Sequence, residues 1–246
     1  KFTIMKNLIE NIIKSIEDNN NKIPYVNPTV VYNEGWMIRA LVYQSIEEKI
    51  NLDGINFGEI ENWTSEGLIS SPFTNTKDKR ETHTHPDIAF GDFKIDYSTS
   101  GEIVVNEDSK FFGIIEAKMG SNLSKGTKNA PNYNQASRSL ACACHQTHEK
   151  DNCEICFIVA APDATLKKYS IKDQTDQTYM INQIRARFNQ YPKQFKDQQN
   201  MESILKKAES CKIMILSFED WVNILNHKEH IHEFYKKAKK WNRIKD

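Results

Sequence analysis

Asp87, in the pair Pro86-Asp87, and the triplet Glu116-Ala117-Lys118 are the residues whose types and spacing carry chemistry: two carboxylates 29 positions apart, then an ammonium. Glu116 and Lys118 stand two apart on a predicted strand, so their side chains leave the same face roughly 7 Å apart. Asp87 opens the neighbouring strand. Two carboxylates at one sheet end make a hard, oxygen-rich site suited to Mg²⁺, which keeps several waters and takes further oxygens from a phosphate. Such a cation polarises a phosphoryl oxygen and lowers the pKa of bound water. Lys118 beside it would orient the attacking water or neutralise charge developing on the phosphate. The plainer alternative is a turn residue at Asp87 and a solvated ion pair at Glu116 and Lys118. Against it, both charges follow Phe111-Phe112-Gly113-Ile114-Ile115, a segment apolar enough for a buried central strand, where charges without a role are costly.

A third acid, Glu34, falls in the helical run NEGWMIRALVYQS on the face of Met37, Ile38 and Leu41. An acid inside an apolar stripe needs a partner. Gln135 and Arg138, one turn apart on a later helix, face either a phosphate backbone or, as an ordinary polar helix side opposite Ala136, Leu140 and Ala143, only solvent. Lys125 and Lys128 share a loop with Gly120 and Gly126 and are the better phosphate contacts. His83 and His85 read as a polar lead into the strand at Pro86, and His227, His230 and His232 as surface residues.

The elements that must position these groups follow from periodicity. A first amphipathic helix covers residues 2 to 17, with Asn19 to Asn21 ending it. A second starts at Asn33 as N-cap and runs toward Lys49. Strand-like pieces surround 57–63 and 68–73, and 75–81 is a polar turn. Residues 86–97 and 111–118 read as two strands of a hairpin. Pro131 suits the first turn of a helix over 132–148. A strand at 155–161, stopped by Pro162, precedes helices at 179–191 and 201–209, a strand at 213–217, and closing helices at 219–225 and 231–241. With no repeat and no linker rich in Pro, Gly or Ser, residues 1–246 are expected to form a single domain.

In order, these are a helix with Glu34, strands with Asp87 and Glu116-x-Lys118, a helix from Asn132 and a strand from Ile155. The pattern resembles the PD-(D/E)xK nuclease superfamily over roughly residues 30–162. The resemblance implies an α/β fold: a restriction-endonuclease-like αβββαβ core with a central mixed sheet flanked by helices, plus C-terminal helices and a strand in an extension at 163–246. It implies Mg²⁺, with Mn²⁺ able to substitute, bound by Asp87, Glu116, the Ala117 carbonyl and Glu34, and catalysis by Asp87, Glu116, Lys118 and Glu34. It further implies an endonuclease of a bacterial restriction or defence type that hydrolyses double-stranded DNA to leave a 5′-phosphate. A homodimer would cut both strands, with Lys125, Lys128, Gln135 and Arg138 as nucleic-acid contacts. One rival is a catalytically silent DNA-binding protein of the same fold, and another keeps the chemistry but acts on RNA or single-stranded DNA.

A further rival is a zinc-stapled adaptor. Cys142, Cys144, His145, His148, Cys153 and Cys156 crowd into 15 residues, and Cys153-x-x-Cys156 has zinc-site spacing. Cys142 and Cys144 diverge by about 200° on a helix and cannot both reach one metal unless the helix ends before them. Cys144 with His148, four apart, is the better pair, and Cys153 and Cys156 would complete a tetrahedral site. Buried spectator thiols are the alternative.

Composition bounds the rest. The chain has 246 residues with 33 Lys+Arg against 33 Asp+Glu, 39% hydrophobic and 10% aromatic, which excludes collagenous and low-complexity chains. The balance hides an asymmetry: residues 185–246 hold 14 Lys+Arg and 8 Asp+Glu. Their basic run from Lys236 to Lys245 faces either a polyanion or solvent. No apolar stretch approaches the ~20 residues of a membrane span. The segment from Lys1 to Asn11 lacks a secretory h-region, and an odd number of cysteines, five, suits a reducing compartment. A cytoplasmic location is therefore expected.

Overall fold

Strand Glu154–Ala161 is buried at every position from Ile155 onward, which a strand tolerates when it is central in its sheet and covered on both faces. The computed structural model describes residues 2–17, 23–74, 81–190 and 200–245. It is α/β, with a central mixed five-stranded sheet flanked by helices. From edge to edge the strands are Lys212–Ser217, Glu154–Ala161, Phe111–Ala117, Ile88–Gly91 and Asn62–Ser65. The first three are mutually parallel, and the last two join antiparallel.

Alternation along the strands divides the core in two. Phe112, Ile114, Phe157 and Val159 face helices Gln135–Thr147, Gln177–Asn189 and Met201–Ser210 through Leu140, Ile184, Phe188 and Leu205. Ile88, Phe90, Ile115 and Ile158 face helices Glu34–Glu47, Phe218–Ile224 and Glu229–Trp241 through Met37, Leu41, Trp221 and Tyr235. The residues past 163 therefore supply an edge strand and part of both layers. Within the second layer Trp221 joins two of its helices, its indole N–H donating to Ser45 of Glu34–Glu47 at 2.9 Å.

Several expectations change in detail. The runs 86–97 and 111–118 do pair, Ile88 with Ile115 and Gly91 with Phe112, but the pairing stops at Gly91. There φ is +122°, and a Cβ would lie 2.4 Å from the Phe111 carbonyl oxygen, so only glycine fits. Asp92 then accepts the Lys110 and Phe111 amides at 2.7 and 3.1 Å, and the chain leaves the sheet. Phe93–Asp96 pairs instead with Glu102–Val105 in a separate ribbon.

The piece at 57–63 is a 3₁₀ turn, Phe57–Glu59, followed by the edge strand Asn62–Ser65. That at 68–73 reduces to Ile69–Ser70, paired with His83–Thr84. The turns expected at 19–21 and over 75–80 lie outside the described residues. The helix expected from 132 starts at Gln135, because the side chain of Asn134 caps it by accepting the Ser137 amide at 2.8 Å. Pro131 stays in the preceding turn. Asn33 caps Glu34–Glu47 as expected. Helix Phe2–Glu17 forms, but Met5, Ile9 and Ile12 are exposed, while Ile16 packs on the core.

Candidate active site at the end of the central sheet

The antiparallel register that pairs Ile88 with Ile115 sets Asp87 opposite Glu116. Directly opposed residues project from the same face with Cβ atoms about 5 Å apart. Asp87 is tied down by its Oδ2, which accepts the Ala117 backbone N–H at 2.6 Å. Glu116 is 1% exposed and points toward helix Gln135–Thr147. Its Oε1 accepts from Ser139 at 2.6 Å and its Oε2 from the Gln135 amide at 2.8 Å. Gln135 and Ser139 are four apart, so successive turns of one helix reach the two oxygens.

Lys118 follows the strand. Its amide extends the ladder by donating to the Ala160 carbonyl at 2.9 Å, which holds its side chain on the Glu116 face. Its ammonium lies 3.9 Å from Glu116 Oε2. The same-face relationship read from the spacing is present.

Burial dominates the electrostatics. It pushes Glu116 up to about 7, and the charge of Asp87 adds to the push, while Lys118, the Ser139 hydroxyl and Arg138 pull the other way. Burial pushes Asp87 up to about 6, opposed by the Ala117 amide and Lys118 and reinforced by Glu66 and Glu34. Glu34, in the first turn of its helix and half-buried, is thus within electrostatic reach of Asp87, although its helix packs on the opposite layer.

Glu66 was not singled out by the sequence, and no local signal marks it. It sits at φ +56°, its amide donates to the Asp87 carbonyl at 3.4 Å, and its carboxylate is 3.7 Å from Arg39. Ser139 was also missed, though its four-residue spacing from Gln135 on the strand-facing side could have found it.

Asp87 and Glu116 offer hard oxygen donors, and a divalent cation would relieve the cost of burying both charges, so the donor chemistry fits Mg²⁺. Glu34 and the Ala117 carbonyl are the further oxygen donors that the resemblance would add. Among the described residues no three His, Cys, Asp or Glu side chains converge as a complete metal cage.

The expected nucleic-acid contacts divide into two kinds. Gln135 is drawn inward to Glu116, and Arg138, half-buried, donates to the Tyr133 carbonyl and the Ser124 hydroxyl, both at 3.3 Å. Lys125 and Lys128 are exposed in the loop that also carries Ser124. Lys128 lines a cleft of about 770 Å³ against helix Gln177–Asn189, whose lining includes neither Asp87 nor Glu116.

His83 and His85 are exposed, and His85 Nδ1 lies 3.4 Å from the Glu66 carbonyl. The five cysteines are free and buried. Burial pushes the thiols of Cys142 and Cys156 up to about 12. The tetrahedral set is split by the sheet: Cys144 and Cys153 pack in the layer of helix Gln135–Thr147, and Cys156 in the opposite one.

No helix of the described residues is long and apolar enough to cross a membrane. No protein-family model, no curated protein and no solved structure matches the chain.

Proposed function

We propose that the chain is a Mg²⁺-dependent endodeoxyribonuclease with a restriction-endonuclease-like core of the PD-(D/E)xK kind, acting on DNA in a restriction or defence role, as a homodimer if both strands of a duplex are cut. The observation that carries the reading is Asp87 set opposite a buried Glu116, with Lys118 on the same face. The element order supports it: helix Glu34–Glu47, three antiparallel strands, helix Gln135–Thr147 and a parallel strand.

Asp87 and Glu116 would hold the cation, with Glu34 and the Ala117 carbonyl completing the protein's share. When bound, the cation would polarise the scissile phosphoryl group and favour ionisation of a water. Ser139 and Gln135 fix the plane of the Glu116 carboxylate, so its donor oxygens need no reorganisation when substrate arrives. Lys118 places a positive charge where negative charge grows on the phosphoryl oxygens. Water adds to phosphorus, the P–O3′ bond breaks, and the products are a 5′-phosphate and a 3′-hydroxyl.

The test is incubation of the protein with plasmid and with a phage genome in Mg²⁺, Mn²⁺ or EDTA, with mapping of any ends. Cleavage that needs the metal and is abolished in each of Asp87→Ala, Glu116→Ala and Lys118→Ala supports the reading. A wild-type rate in any of the three overturns the site assignment, and DNA binding without cleavage in either metal favours the silent DNA-binding protein.

A further inference from the structure

Trp36 is 53% exposed on the first turn of helix Glu34–Glu47, the helix that brings Glu34 to the candidate site. An indole couples a broad apolar face to one polar N–H, which suits it to stacking at a partly wet surface. Its neighbourhood is organised. The Arg39 guanidinium lies 5.1 Å from the ring centroid, and it folds back over Gly35, where a Cβ would come within 3.1 Å of Arg39 Nη1. Glycine in a helix's first turn sacrifices helix propensity, and here it leaves room for that guanidinium.

Arg39 is anchored at its far side, Nε donating to Ser65 at 2.9 Å and Nη2 lying 3.7 Å from Glu66. Glu66 in turn donates its amide to the Asp87 carbonyl. An aromatic ring, a cation stacked on it and the catalytic aspartate are thus joined by consecutive contacts along the end of the edge strand.

From this arrangement we infer that Trp36, backed by Arg39, is a stacking platform for an unpaired nucleobase beside the scissile phosphate. The inference rests on the nuclease reading and narrows its substrate to DNA with a single-stranded segment next to the cut. Two features favour a base over an apolar peptide side chain. Arg39, although paired with Glu66, sets a guanidinium plane against the ring in the way a stacked base is bordered, and the Arg39–Glu66–Asp87 contacts connect the platform to the candidate site. In a closed duplex the bases are stacked on one another and present no face to an indole. A frayed end, overhang or junction does.

The experiment measures binding of the full-length protein to single-stranded oligonucleotides, to the same sequences as closed duplex, and to inorganic polyphosphate, by tryptophan emission and by anisotropy, in Ca²⁺ and in EDTA. The expected result is quenching by single strands and not by polyphosphate, lost in Trp36→Phe while affinity is largely kept. Trp36→Ala should weaken single-strand binding about tenfold with an unchanged salt slope, since a stacked base and no phosphate contact is removed. An unchanged thermal midpoint in both variants confirms that the exposed side chain does not hold the fold.

Quenching that persists in Trp36→Phe overturns the platform, as does Trp36→Ala binding single strands within twofold of the parent or losing duplex affinity equally. Cleavage separates this inference from the reading beneath it. Asp87-dependent cutting with Trp36→Ala indistinguishable from the parent on every substrate removes the platform and keeps the nuclease. Trp36-dependent quenching without cutting in any metal keeps the platform and removes the nuclease.

Discussion

Ser139 donates its hydroxyl to Glu116 Oε1 at 2.6 Å, which places a neutral donor from one helix against a carboxylate in the middle of the sheet. Gln135 does the same for Oε2. A buried carboxylate that keeps both oxygens partnered is held in one orientation, here with Oε2 3.9 Å from the Lys118 ammonium.

Ser139→Ala is therefore expected to act on both stability and activity. The Ser139 bond lowers the Glu116 pKa, so its removal raises that value further and moves the acid limb of the pH–rate profile to higher pH. Above the titration, where Glu116 is ionised, the lost donor should cost about 1–2 kcal/mol of stability. Below it the protonated acid loses less. Parallel pH–rate and thermal-melt series on parent and variant check both, and an acid limb that stays in place would show that the hydroxyl does not face the reacting carboxylate.

Without metal, the two acids should make the protein less stable as pH rises. Their folded values, about 6 for Asp87 and about 7 for Glu116, stand above the ordinary 3.8 and 4.5, so between those limits the folded state binds more protons than the unfolded state. Stability contributed by the protonated forms is full below about pH 4 and lost as pH climbs through the folded values. Glu116→Gln should remove much of this slope and stabilise the metal-free protein by roughly 2 kcal/mol at pH 8, with little effect near pH 4. Added Mg²⁺ should raise the parent's midpoint and leave the Glu116→Gln midpoint nearly unchanged. Denaturation at pH 4, 6 and 8 with Mg²⁺ or EDTA is the measurement.

Glu34→Gln should be milder than any change at Asp87. It keeps the volume and removes a charge that raises the Asp87 pKa, so the acid limb of the rate profile shifts to lower pH. If Glu34 also lends an oxygen to the cation, the rate at pH 8 falls by about tenfold, within the range for losing an outer ligand partner. Full activity with an unmoved acid limb would return Glu34 to a purely structural place at its helix start.

Lys125 and Lys128, both exposed on the loop beside the site, should together account for about two phosphate contacts. Replacing both by alanine is expected to make the log–log salt slope of DNA binding shallower by about 1.8, at about 0.9 per contact. The basic C-terminal run is differently placed. Lys236 pairs with Glu233 at 2.8 Å, Lys237 with Glu17, and the Lys240 ammonium lies 5.7 Å over the Trp241 ring. Because Ala238 is fully buried and Asn242 bonds the Tyr32 carbonyl, point changes to alanine, not truncation, are the clean comparison there. Binding isotherms across a salt series read the slope, and an unchanged slope assigns the loop lysines to solvent.

Local pattern was enough to determine most of this protein's elements and which residues share a strand face. The alternation and apolarity of Phe111 to Ala117, the cap at Asn33 and the stop at Pro162 are properties of neighbouring residues, and the same-face relation of Glu116 and Lys118 follows from the two-residue repeat of any strand. What tertiary structure alone decided depends on residues far apart in the chain. The Ile88–Ile115 register that sets Asp87 against Glu116, the break of that ladder at Gly91, the inward turn of Gln135 and Ser139, and the approach of Glu66 and Glu34 from other elements all depend on which strands and helices meet. So does the fate of the cysteines, whose spacing suggests one cluster while the sheet, passing between Cys144 and Cys156, puts them in different cores. Spacing along a chain constrains direction within one element, whereas the distance between elements is set by how their apolar faces pack.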